Sequence, residues 1–109
     1  MAQLNVQAVT RAGTGLNPTY VTASGGGDTV RTGPRTFLHV KNGHSSPQTV
    51  TIVTPGTYNG LAVDDLEIAV PNAGERMIGP IDDTFRASTG LASITYSGTT
   101  SLTIAAIRI

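Results

Sequence analysis

Nearly a third of this chain is β-branched: 17 Thr, 9 Val and 8 Ile fill 34 of its 109 positions. Two heavy atoms on Cβ leave few χ1 choices, which suits a pleated sheet better than a helix. Spacing sharpens the constraint. Leu38 and Val40 alternate with Phe37 and His39, and Val50 and Ile52 with Thr49 and Thr51. The same rhythm recurs at Leu66, Ile68 and Val70, and again at Ala92, Ile94 and Tyr96. Period-two alternation marks a strand with one buried face, and no window sustains a helical period. Pro, Gly and Asn clusters such as Asn42-Gly43, Pro55-Gly56 and Pro71-Asn72 punctuate these runs. The expectation is an all-β chain, a single antiparallel β-sandwich or jelly-roll-like barrel of about seven to nine short strands.

Along the chain, residues 1–9 read as an N-terminal strand or arm, since Leu4, Val6 and Ala8 alternate with Asn5 and Gln7. Residues 10–35 read as an extended loop punctuated by Gly13, Gly15, Asn17-Pro18, the Gly25-Gly26-Gly27 triplet and Gly33-Pro34. Only Tyr20–Ala23 looks like a strand there. So long a loop is either a cover over one end of the sandwich or a segment ordered by a partner. Residues 36–109 form the sandwich body, beginning with a hairpin of 36–41 and 48–54 around Asn42–Pro47. The last strand, 102–108, is apolar on both faces, as expected of a central strand or one pressed against another chain. It also offers an edge for β-augmentation.

The chain contains no cysteine, so neither a disulfide nor a thiolate metal site is available. The opening Met1-Ala2-Gln3-Leu4-Asn5 lacks a basic and then apolar stretch, so no secretion signal is expected. No apolar run approaches membrane-spanning length, and no membrane partner is expected. Formal net charge is zero but unevenly distributed. Residues 1–60 carry Arg11, Arg31, Arg35 and Lys41 against Asp28, a net of +3; residues 61–109 carry three arginines against six acids, a net of −3. This pattern fits either a solvated surface or self-complementary association of two copies. Four scattered cations make a poor phosphate-tracking surface, so no nucleic acid is expected.

Reactive constellations are scarce. His39 and His44 lie five residues apart across a turn, which is not a metal-ligand spacing. Asp64-Asp65 and Asp82-Asp83 read as turn aspartates bonding their own backbone, with a calcium clamp between loops as the alternative. Ser45, Ser46 and His44 lack an oriented base and a Gly-x-Ser-x-Gly elbow. The chain is therefore expected to be neither an enzyme nor a cofactor protein. Of its five aromatics, Phe37, Phe85 and Tyr96 are assigned to the core, leaving Tyr20 and Tyr58 accessible beside turns. Arg11, Arg31, Arg35, Tyr20 and Tyr58 are the candidate partner-binding residues.

Thr36-Phe37-Leu38-His39-Val40-Lys41-Asn42-Gly43, followed by Pro71-Asn72-Ala73-Gly74-Glu75-Arg76-Met77-Ile78-Gly79-Pro80, resembles a family of small tailed-bacteriophage proteins. Gly26-Gly27-Asp28 fits the same pattern, so the likeness covers most of the chain. The resemblance implies a virion component on the capsid surface, a head decoration (cement) protein. Its partners would be the major capsid protein and copies of itself. Other readings share the same scaffold: a tail, neck or fibre-associated module, or a non-catalytic module that binds glycan or a host surface.

Overall fold

The computed structural model describes residues 2–4, 6–9, 11 and 20–109, and of Ala2, Tyr58 and Ala62 the backbone only. The turn signals at Gly13, Gly15 and Asn17-Pro18 lie outside the described residues. Among those residues the fold is all-β with a single 3-10 turn, Asp83–Phe85. Twelve strands are present: β1 (Ala2–Leu4), β2 (Val6–Ala8), β3 (Val21–Thr22), β4 (Asp28–Arg31), β5 (Thr36–Asn42) and β6 (Gln48–Ile52). The chain continues through β7 (Thr57–Tyr58), β8 (Leu61–Ala62), β9 (Leu66–Val70), β10 (Glu75–Ile78), β11 (Leu91–Tyr96) and β12 (Leu102–Arg108).

Two sheets pack face to face. One has the order β1-β4-β11-β6-β9; the other runs β10-β5-β12, with β2 and β3 sharing the far flank of β12. Strands β7 and β8 form a small separate ribbon. Apart from β1, β2 and that ribbon, eight strands remain. In chain order they fall second-seventh-fourth-fifth in the first sheet and first-eighth-third-sixth in the second. That interleaving is a jelly roll, and it fulfils the expected class. Between the sheets, Val30, Leu38, Val40, Val50, Ile52, Ile94, Leu102 and Ile104 are fully buried, each contributing about 1.5–3 kcal/mol of burial.

Several expectations are corrected by this topology. β5 and β6 are not a hairpin, because they lie in different sheets, and β9–β10 and β11–β12 also arch from one sheet to the other. Turn signals mark where a chain reverses; they do not say whether it stays in one sheet. The sheets are mixed, since β1 pairs parallel with β4 and β2 parallel with β12. Of the strand or arm expected over residues 1–9, the strand is what forms: β1 and β2 are built into the two sheets, with Leu4 buried. The 10–35 region contains β4, a core strand paired on both sides. β12 is central but offers no edge: β5 pairs its whole length, and β2 and β3 pair the other side. Phe37 faces outward and half-buried, while Phe85 and Tyr96 only flank the core.

The arches divide the sandwich into two ends. At one, Asn42, Val70 and Tyr96 finish strands whose chains cross to the opposite sheet, and β4 begins after Gly27. At the other lie the ends of β4 and β12, the start of β5 and the long connection from Ile78 to Leu91. This second end carries the candidate site.

Candidate functional site: an arginine-lined end

Where β4 stops, Arg31 pairs in register with Leu91 of β11; where β12 stops, Arg108 pairs with Thr36 of β5. The chain between β4 and β5 is held rigidly. The Gly33 N–H donates to the Ile81 carbonyl (2.9 Å), and the Ile81 N–H donates to the Thr36 carbonyl (2.7 Å). Ile81 is itself fully buried, so this connection is pinned to the core from below. A Cβ on Gly33 would come within 2.8 Å of Thr36 Oγ1, which leaves that position room for glycine alone. The neighbouring connection is equally ordered. Asp82 accepts from the Thr84 N–H (3.1 Å) as a cap, as the turn-aspartate reading expects, whereas Asp65 departs from that reading and accepts from the Thr54 N–H (2.8 Å), eleven residues upstream. The reversal at 87–90 closes through Gly90 N–H to the Ala87 carbonyl (2.9 Å), with Gly90 at φ +84°.

On this platform stand Arg31, Arg35, Arg86 and Arg108, all exposed. Two adjoining hollows separate them. The first, about 410 Å³, is lined by Arg31, Arg86, Thr32, Thr89 and Asp83, among others. The second, about 340 Å³, brings Arg31 together with Arg35 and Arg108 beside the apolar Val6, Pro34 and Ile109. Arg31 and Thr32 line both. Thr32 Oγ1 donates to Asp83 Oδ1 at 3.3 Å, holding that carboxylate at the rim. None of the four guanidiniums makes an ion pair with a described carboxylate. Planar guanidiniums left this way present fixed forks of N–H donors suited to carboxylate or phosphate oxygens.

The structure therefore joins two of the sequence candidates, Arg31 and Arg35, and adds Arg86 and Arg108. The basic residues do not sort by sequence half: two cations of the first half meet two of the second. Arg11 is exposed in a turn and lines neither hollow. The Tyr58 side chain lies outside the described residues.

Tyr20 belongs to another cluster and is half-buried instead of freely accessible. It precedes β3 and reaches β5, where its hydroxyl lies 2.5 Å from His39 Nδ1 and Lys41 Nζ stands 3.8 Å above its ring. On the other side of the imidazole, Nε2 lies 2.7 Å from Glu75 Oε1 of β10. A carboxylate only accepts, so Nε2 carries a proton, and a neutral ring then accepts the Tyr20 O–H at Nδ1. This chain of contacts links the segment before β3 to β5 and β10 across the outer face of one sheet.

A third polar cluster joins two neighbouring strands of one sheet, β4 and β11, at the opposite end of the sandwich. Asp28 is fully buried at the start of β4 and accepts from Tyr96 Oη (2.6 Å) and the Ser24 N–H (3.2 Å). Burial, then the bond to Asp28 and that residue's negative charge, hold the Tyr96 phenol well above the ordinary tyrosine range. Both groups are used up in holding the fold.

Compared with known proteins, the chain matches no family model, no curated protein and no solved structure. None of these comparisons points to a phage protein family.

Proposed function

We propose that this chain is a non-catalytic structural module, a rigid jelly roll that grips protein neighbours through its arginine-lined end. We further infer, from the sequence likeness, that it works as a decoration protein on the head of a tailed phage. One observation carries the gripping role: four guanidiniums on an ordered platform with no described carboxylate paired to them. Charges held on an ordered platform without a described carboxylate partner accelerate encounter with an oppositely charged surface and set orientation. A jelly roll is one of the architectures used for capsid proteins and lectins, which makes it compatible with the role without specifying it. Many copies around a shell turn modest single contacts into firm retention.

The test is sedimentation of the purified chain with the heads, and separately with the tails, of the phage that encodes it. The expected result is co-sedimentation with heads that weakens as salt rises, because exposed charges are screened beyond about 8 Å at physiological ionic strength. Binding to tails alone would move the chain to a tail or neck role. Binding to neither, or turnover of a small molecule, would overturn the reading.

A further inference from the structure

The two hollows at the arginine end differ in lining but share a wall, and that arrangement suggests what fills them. We propose that they form one continuous strip that receives an extended acidic peptide segment of a partner protein, with one carboxylate in each hollow. This rests on the docking role above and names its chemistry. In the first hollow, Arg31 and Arg86 supply donors from two sides, while Thr32, Thr89 and Asp83 supply hydroxyls and an acceptor. Such a mixed lining matches a peptide, which brings carboxylates for the arginines and backbone N–H groups for Asp83. A nucleic-acid backbone carries a charge at every nucleotide and has no N–H to offer Asp83, whereas a peptide with carboxylates at alternate positions has N–H groups between them.

The second hollow argues the same way. Arg35 and Arg108 join Arg31 there, but Val6, Pro34 and Ile109 give it an apolar side. The methylene stem of a Glu, or an aliphatic neighbour of an Asp, covers that side while the carboxylate meets the guanidiniums. Arg31 stands between the hollows and serves both. It is the residue on which the strip depends most.

Fluorescence anisotropy on the full chain tests this with three labelled probes: an acidic peptide of alternating Glu and Ala, its Gln counterpart, and an oligothymidylate. The acidic peptide is expected to bind at low salt and the Gln peptide not. R31Q is expected to weaken binding about tenfold or more, the loss of a charge-assisted bond, and R86Q or R108Q less. R76Q serves as control, since Arg76 lies outside both hollows on β10, where its Nη1 donates to the Glu75 carbonyl (2.8 Å). Equal binding of the Gln peptide, tighter binding of the oligothymidylate, or an equal loss in R76Q overturns the strip. Heads that retain R31Q/R86Q as well as the native chain overturn the docking role itself. Heads that release R31Q/R86Q while no acidic peptide binds leave the docking role standing and reject the extended carboxylate partner.

Discussion

The two ends of the sandwich treat polar groups in opposite ways. At the Asn42 end, polar side chains are buried and satisfied. Asn42 is 2% exposed; its Nδ2 donates to the carbonyls of Ser46 (3.0 Å), Val70 (3.2 Å) and Pro71 (3.3 Å). Its Oδ1 accepts from the His44 N–H (2.9 Å), so one side chain ties two sheet-to-sheet arches together. Asp28 and Tyr96 join β4 to β11 beside the same end. At the arginine end the backbone is just as well bonded, but the charged side chains point outward without described carboxylates to meet them. Polar chemistry at one end is consumed by the fold, whereas at the other it is left over for something else.

The largest expected effect lies at the closed end. Asn42→Ala removes the amide that holds both arches and takes a donor from the buried Val70 carbonyl, at a cost of about 3 kcal/mol. Urea unfolding measures it, and a loss below about 1 kcal/mol would show that water replaces the amide there, so that this end is not closed.

Tyr96→Phe comes next, at about 1.5–3 kcal/mol for a hydrogen bond to a charged group. It also carries a sign in pH. The phenol is held protonated in the fold, so its folded pKa exceeds the unfolded value near 10. Its contribution is thus complete below about pH 10 and falls as pH rises beyond that. Stability of the native chain is expected to drop in that alkaline range and that of Tyr96→Phe to drop less. Parallel curves for the two would remove Tyr96 from the account of how the closed end is pinned.

Between the extremes stands the Tyr20–His39–Glu75 chain, half-exposed on the outer face. Tyr20→Phe keeps the ring under Lys41 but deletes the hydroxyl, for an expected loss of about 1 kcal/mol. Histidine NMR gives the more specific reading: the His39 ring resonances shift in Tyr20→Phe while those of His44 stay put. If both rings shift alike, the contact does not act through the hydroxyl.

How far the sequence announces this layout depends on the range of the interaction. Local alternation reveals β5, β6, β9, β11 and β12, because the period of a strand is written in neighbouring residues. The two-faced composition of 102–108 correctly signals a central strand. β4 is hidden because it is four residues long, follows three glycines and opens with an aspartate, all of which read as a turn. What makes Asp28 a buried strand residue is Tyr96, sixty-eight positions away. Arg31 and Arg35 stand out locally, but Arg86 and Arg108 join them only through the crossing of the sheets. Likewise Tyr20 is noticeable beside its turn, yet nothing near it in sequence points to His39.

The smallest expected effect is the most telling for the comparison. If the arginine end is unsatisfied, neutralising it cannot cost the fold any ion pairs. R31Q and R86Q are expected to change stability by no more than about 0.5 kcal/mol, as exposed substitutions do. The sign is informative as well. Like charges gathered at one end repel, so each substitution should raise the melting temperature slightly at low salt. The gain should vanish at high salt, where that repulsion is already screened. A clear loss of stability in either variant would mean that the arginine stems pack into the platform and hold it together. The hollows would then be gaps within a structural contact, and both ends of the sandwich would be closed.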